Sequence, residues 1–189
     1  MPLFFLIQEI SDISPLYGFL YSLLTGIISS FIFIFLLLYL LRPNIKISPS
    51  ICYIRMESDG NYYYVFKIVN YSLFSTYDVN INLEKKQPYM VNRGSKINHQ
   101  LISIETSSSH KDHLPAFKSA KGVGEHAYLI RTSEDLKESI INKRITVRMT
   151  VSSKHGLTNL HRTVTQDFLK SDIIKEDKEF VFGKSLETV

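Results

Sequence analysis

The hydrophobic pattern of the chain changes near Leu41. Residues 13–41 carry no charge, whereas apolar and polar residues alternate in short runs from Pro43 onward. A helix over residues 16–41 would be ~39 Å long at ~1.5 Å per residue, more than the ~30 Å hydrocarbon core of a bilayer. The first segment therefore predicts one tilted transmembrane helix, and the second predicts a β-rich domain.

The residues that flank the apolar run indicate where the helix begins and ends. Ser14 can cap the first turn, Pro15 suits the first helical position because it lacks an N–H, and Pro43 cannot continue a helix. We therefore expect a short N-terminal segment over residues 1–12, a transmembrane helix over 13–42 and a folded domain over 43–189.

Charged residues on either side of the span predict its orientation. Glu9 and Asp12 precede it, whereas Arg42 and Lys46 follow it. Because basic residues are enriched on the cytoplasmic side, we expect a single-pass protein of the cell inner membrane with residues 1–12 outside and the domain in the cytoplasm. The alternative is a cleaved signal peptide, but no basic segment precedes the run and no small-x-small cleavage motif follows it.

Small and weakly polar residues within the run lie on one helical face. Gly18, Ser22, Thr25 and Ser29 are spaced by four, three and four positions, and Gly26 lies four positions after Ser22. A stripe of this kind lets helices approach closely, which favours self-association. The alternative is that the hydroxyls line a central path in an oligomer and replace part of the hydration of an ion.

The alternating runs after Pro43 predict an antiparallel sandwich. Strands are expected over residues 45–55, 62–69, 77–83, 101–104, 126–131, 144–152, 160–168 and 180–182. The sequence Ser58-Asp59-Gly60-Asn61 predicts a turn that joins the first two runs in a hairpin. Residues 84–125 are expected to be mostly irregular, and residues 134–139 to form one or two helical turns. Several short strands with frequent turns are typical of a two-sheet β-sandwich.

Charge and cysteine content indicate which ligands the domain could bind and which covalent or metal sites it cannot contain. The whole chain carries +4, and because residues 1–41 hold two acidic and no basic side chains, the remainder carries +6. Such a domain suits anionic lipid headgroups or a phosphate-bearing ligand, although a basic surface without a ligand is the alternative. Cys52 is the only cysteine, which excludes an intramolecular disulfide and a cysteine-rich metal site. Asn70-Tyr71-Ser72 fits a glycosylation acceptor, which a cytosolic domain would leave unused.

The order of motifs after the span resembles the cytoplasmic domain of inward-rectifier potassium channels. Arg42-Pro43, the turn Asp59-Gly60 and residues 65–70 (VFKIVN) resemble that family's Arg-Pro pair after the inner helix, its Asp-Gly turn and its strand of the form LMFRVGN. Residues 132–136 (TSEDL) and 180–183 (FVFG) resemble its S-x-E-D-L element and its closing segment.

The likeness covers residues 42–183 and carries expectations about fold, assembly and lipid contact. It implies an immunoglobulin-like antiparallel β-sandwich joined to a membrane span, arranged as a homotetramer. It also implies contact of membrane lipid headgroups with Arg42 and Lys46, although these cations alternatively only set the topology. The family's pore helix and T-x-G-Y-G filter have no counterpart here, so potassium selectivity through a carbonyl filter is not expected.

Two loops offer candidate ligand sites. Lys118, Lys121 and His126 belong to a glycine-containing loop whose backbone N–H groups could cradle phosphate oxygens, so a nucleotide or another anionic ligand is one hypothesis and an ordinary connection is the other. His110 and His113 have a spacing that could share a zinc ion with His126, and a solvated loop is the alternative.

These features predict a membrane protein that is not an enzyme. No Ser, His and acid grouping has a recognisable setting, Cys52 lies in an apolar strand, and no cofactor, bound metal or duplex nucleic acid is expected. The first hypothesis is a tetrameric single-span protein whose domain senses a signal and whose bundled helices form or gate a membrane pathway, for example as a bacterial effector of antiviral defence. The second is a non-conducting membrane-anchored adaptor or ligand-binding sensor that recruits a partner.

Overall fold

The chain is divided into a helical unit and a β unit. The computed structural model describes residues 15–91, 96–117, 124–142, 145–156, 158–169, 173–183 and 185–189. The first unit ends at Leu40 and the second runs from Leu41 to Val189. The segment expected over residues 1–12 and the cap expected at Ser14 lie outside the described residues.

The helical unit is one long apolar helix, α1, over Pro15–Leu40. It begins at the proline that the sequence favours for a first helical turn, and it ends three residues before Pro43. Every side chain from Tyr17 to Leu40 is exposed, and the helix is long and apolar enough to cross a membrane once. The predicted N-terminal apolar helix is therefore confirmed.

The first sheet is centred on strand β3. Its five strands are β1 (Ile45–Ile47), β2 (Ile51–Arg55), β3 (Tyr62–Asn70), β7 (Ala127–Thr132) and β10 (Ile174–Glu176). Strands β1 and β2 share one edge of β3, and β7 pairs with its other edge, all antiparallel. Strand β10 extends the sheet beyond β2 in the parallel sense. The hairpin predicted around Asp59 and Gly60 is present as β2 and β3.

The second sheet is centred on the long strand β4. Its five strands are β4 (Thr76–Val91), β5 (Lys96–Ser103), β6 (His110–Leu114), β8 (Thr146–His155) and β9 (His161–Phe168). Strands β6 and β5 pair with successive halves of β4, while β8 pairs with it as far as Lys86 and carries β9 on its far side. Beyond Lys86, β4 and β5 therefore continue as a two-stranded ribbon.

The two sheets direct alternate side chains into a shared core. In β8 every second residue from Val147 to His155 is buried, as the period-two pattern predicts for a sheet with one covered face. Phe66 of β3 and Phe168 of β9 meet edge to face with ring centroids 5.4 Å apart, a favoured aromatic geometry. A mostly β domain with two sheets, as predicted, is therefore confirmed for the described residues.

The region after Leu83 is more regular than its sequence predicts. Strand β4 continues to Val91, β5 begins at Lys96, and the polar stretch His110–Leu114, expected as a loop, is a strand. Four of the five residues of β6 are exposed, and the described residues of the ribbon beyond Lys86 are exposed as well. Strands with both faces in solvent need no apolar alternation, which explains why the sequence pattern did not predict these strands.

The expected last strand over residues 180–182 is a single bridge between Phe180 and Thr188. The turns expected over residues 134–139 end in a π-helical turn, Glu138–Asn142. The carboxylate of Asp135 accepts the N–H of Glu138 at 3.0 Å and so caps this turn. Strand β10 was missed because three residues cannot show a period.

A segment at the end of the chain covers the outer face of the first sheet. We define this C-terminal segment as residues 179–183 and 185–189. Lys67 of β3 points away from the shared core and is only 2% exposed. Its Nζ donates to the carbonyl of Val181 at 2.5 Å and to that of Ser185 at 2.7 Å, and the hydroxyl of Ser48 donates to the carbonyl of Leu186 at 3.3 Å. The segment is therefore part of the folded domain.

Asn70 joins the end of β3 to the end of β6. Its side chain is fully buried, and its amide nitrogen contacts the carbonyls of Phe74 at 3.1 Å, Leu114 at 3.3 Å and Pro115 at 2.8 Å. Its amide oxygen accepts the N–H of Ser72 at 2.9 Å. Because both ends of the amide are buried and hydrogen-bonded, Asn70 is not accessible for glycan attachment in the folded domain. The Asn70-Tyr71-Ser72 motif therefore has a structural role here.

We expect Asn70→Ala to lower the free energy of unfolding by about 2–4 kcal/mol, because several buried backbone groups lose their partner at about 1–3 kcal/mol each. Urea denaturation of the full chain in mild detergent, followed by far-UV circular dichroism, measures this. Asn82→Ala on the exposed face of β4 is the matched control and should shift stability by less than about 0.5 kcal/mol. Equal effects of the two substitutions would contradict the role given to Asn70.

Candidate functional site

The predicted small residues form a continuous face on α1. Gly18, Ser22, Thr25, Gly26 and Ser29 all lie in the helix. A shallow groove follows Ser22, Gly26 and a residue that the sequence reasoning left out, Ser30, between walls formed by Leu23, Ile27, Phe31 and Ile34. A Cβ placed on Gly18 or Gly26 would meet no atom within 4 Å. The groove is therefore open to a second helix, and small residues at spacings of four are typical of close helix crossings.

Hydroxyl groups on this face donate to the helix backbone. Ser22 Oγ donates to the carbonyl of Gly18 at 2.9 Å, Thr25 Oγ1 to that of Tyr21 at 2.9 Å and Ser30 Oγ to that of Gly26 at 2.8 Å. These protons need no partner from outside the helix, so the face tolerates an apolar surrounding. This geometry favours helix packing. The lone pairs of the hydroxyl oxygens stay free to accept hydrogen bonds or to contact an ion in a path through an oligomer.

The two cations predicted to meet lipid headgroups lie at the start of the β unit. Arg42 and Lys46 are exposed, and neither forms an ion pair with any residue that the structure describes. The Lys46 ammonium lies 4.9 Å above the ring of Tyr71, a cation–π contact that fixes its position. Arg162 donates to the carbonyl of Pro43 at 2.7 Å, which ties this part of the chain to β9. Lipid contact at Arg42 and Lys46 stays a prediction.

Only part of the predicted anion-binding loop lies within the described residues. Lys118 and Lys121 lie outside the described residues. His126 is buried, at 1% exposure, and its ring packs edge-on against Phe117 at 5.2 Å. Burial and the nearby charge of Lys67 lower the pKa of His126, so its ring stays neutral at neutral pH. An interior neutral imidazole is poorly suited to hold a phosphate in solvent.

The two histidines considered for zinc lie on strand β6. Residues three apart in a strand point to opposite faces, and the contacts agree with this. The His110 ring bonds to Asn80 at 3.0 Å and to Asp112 at 2.9 Å, whereas the His113 ring packs on Tyr77 at 4.9 Å. No group of three metal-ligating side chains is found among the described residues.

Cys52 lies under the C-terminal segment and is fully buried. Burial and, to a smaller extent, the charge of Glu179 raise the pKa of its thiol to about 11, although the charge of Lys67 opposes this change. A thiol with such a pKa is almost wholly protonated at neutral pH, so it is a weak nucleophile. The expected inert character of Cys52 follows from this environment.

A polar pocket of about 450 Å³ lies beside the turn at Asp59 and was missed by sequence reasoning. The Arg131 guanidinium lies 5.9 Å from the ring of Tyr63, whose hydroxyl donates to Asp59 at 2.6 Å. Glu105 also lines the pocket. Two carboxylates beside one guanidinium do not make the positive site that a phosphate group requires.

No protein-family model and no curated protein sequence matches this chain. The resemblance to inward-rectifier channels therefore rests on the motifs within residues 42–183.

We expect native Cys52 to react with an aromatic disulfide reagent at pH 8 at least about 100-fold more slowly than in the urea-unfolded chain, because a pKa of about 11 leaves roughly one thiol in a thousand ionised. Absorbance of the released thiol measures the rate in the full chain. The control is Ser107→Cys in a Cys52→Ser background, which places the thiol on an exposed residue. Equal native rates for the two cysteines would contradict burial of Cys52.

Proposed function

We propose that this chain is a single-span membrane protein that assembles through one face of α1, and that its β unit is a cytoplasmic sensor coupled to a membrane pathway formed or gated by the assembled helices. The observation that carries the proposal is the groove along Ser22, Gly26 and Ser30 on a helix whose described side chains from Tyr17 to Leu40 are all exposed. In a separately folded unit of this length, that much apolar surface requires lipid or other copies of the helix around it.

The architecture of the β unit supports the sensor part of the proposal. Two mostly antiparallel sheets that share a core are what an immunoglobulin-like sandwich requires. The motifs that resemble inward-rectifier channels fall on its elements, because Asp59-Gly60 joins β2 to β3 and residues 132–136 lead into the π-helical turn. By the same resemblance, we propose a homotetramer with the β unit in the cytoplasm.

A second candidate function is a non-conducting membrane-anchored adaptor. The back-bonded hydroxyls of Ser22, Thr25 and Ser30 favour it, because a helix that satisfies its own polar groups packs without lining an aqueous path. The adaptor differs from the first candidate because it passes no ions, recruits a partner through its β unit and does not depend on self-association of α1.

We expect Gly26→Ile to weaken self-association of the full chain by about tenfold or more, because a branched side chain fills the groove and prevents close approach of a second helix. Energy transfer between labelled copies in lipid vesicles, measured against protein-to-lipid ratio, gives the change in affinity. Ile28→Phe is the matched control, since two positions along a helix are about 200° apart and the added bulk lies on the opposite face. Equal weakening by both substitutions would argue against this groove as the interface.

We expect the full chain, reconstituted in liposomes, to pass small ions at a rate that rises with oligomer content, and Gly26→Ile to reduce the flux as it reduces assembly. Oligomeric mass in mild detergent and ion flux are measured on the same preparation. A defined oligomer without flux would favour the adaptor. A strict monomer would rule out a pathway formed by assembled helices.

A further inference from the structure

A second pocket, of about 350 Å³, lies between the outer face of the first sheet and the C-terminal segment. Its floor comes from Lys67 of β3 and from Ala127 and Leu129 of β7, because Lys67 pairs with Leu129 and Val69 with Ala127. Its roof is the backbone and side chains of residues 179–183. The volume is within the range of small-molecule sites.

The wall of this pocket is mostly apolar and partly open. Leu129 is 49% exposed and Phe182 is 71% exposed, although both are large apolar residues. Phe182 rests against Gly124, where an added Cβ would lie 2.6 Å from the end of its ring. Aromatic and aliphatic surface therefore lines the pocket, and an apolar ligand body would bury it.

One buried cation lies at the base of the pocket. The Lys67 ammonium has three protons to donate, and its two acceptors at 2.5 and 2.7 Å are neutral backbone carbonyls. No carboxylate forms an ion pair with it among the residues that the structure describes. Buried charges in proteins are ordinarily matched by an opposite charge, so the base of the pocket is complementary to an anion.

We propose that this pocket binds a small carboxylate with an apolar body, with the carboxylate on the Lys67 ammonium and the body between Leu129, Phe180 and Phe182. The site lies wholly within the β unit. It would supply the ligand class for the proposed sensor, yet it is independent of α1, so failure of binding and failure of self-association are separate results.

Glu179 places a negative charge beside the pocket, and its effect on ligand binding can be tested. Its side chain is exposed and lines the pocket, so its charge opposes an entering anion. We expect Glu179→Gln to strengthen carboxylate binding about two- to fivefold, the range typical of an exposed charge interaction. A site that merely fills with any apolar molecule would not respond in this direction.

The test uses the full chain in lipid nanodiscs and isothermal titration calorimetry, with empty nanodiscs as the blank. The probes are 4-butylbenzoate and its neutral analogue 4-butylbenzyl alcohol. We expect the carboxylate to bind about 10- to 100-fold more tightly than the alcohol, as a charge-assisted hydrogen bond provides. Lys67→Met should abolish this preference, while Lys111→Met, which removes an exposed lysine from β6 in the second sheet, should retain it.

Because Lys67 also holds the C-terminal segment, a second variant keeps its backbone contacts intact. Leu129→Glu on the exposed edge of β7 places a competing carboxylate in the wall, and we expect it to lose binding of 4-butylbenzoate with unchanged far-UV circular dichroism. Equal affinity for the two probes, no binding of 4-butylbenzoate by the wild-type chain, or full binding by Leu129→Glu would each overturn the proposal.

Discussion

Strand β3 has to be covered on both of its faces, and the β unit is arranged around this constraint. Seven consecutive residues, from Tyr64 to Asn70, are buried. One face packs in the core between the sheets, and the other, which carries Lys67, is covered by the C-terminal segment. A lysine can occupy that position because main-chain carbonyls solvate its ammonium in place of water. The end of the chain therefore contributes polar acceptors as well as cover.

The two units differ in whether their large apolar side chains are buried or exposed. The β unit buries one cluster of large side chains between its sheets, whereas α1 exposes its large side chains along the described length from Tyr17 to Leu40. The first arrangement is stable in water, and the second requires an apolar surrounding. The proposed membrane span would give α1 this surrounding while leaving the β unit in water. Self-association through small residues and ligand binding in the β unit are the activities that we propose for these two surfaces.

Sequence reasoning succeeded where one side of an element was covered. The alternation in β4 and β8 and the apolar run of α1 predicted those elements, because burial imposes a period on the residues. It failed for the ribbon of β4 and β5 and for β6, which are exposed on both sides and carry no period. The small residues of α1 were found from their spacing, and Ser30, four positions after Gly26, could have been found in the same way. The pocket at Lys67 depends on contacts between residues more than 100 positions apart, and a lysine inside an alternating strand normally indicates solvent.

The back-bonded hydroxyls make the stiffness of α1 uneven. Each serine or threonine that shares a carbonyl with the helix ladder loosens that turn and favours a slight bend, and Gly18 and Gly26 add backbone freedom nearby. From Phe31 to Leu40 the helix has neither glycine nor serine nor threonine, so this half is the more rigid rod. In the proposed membrane assembly, curvature imposed by neighbouring copies or by bilayer thickness would therefore be taken up in the N-terminal half of the helix.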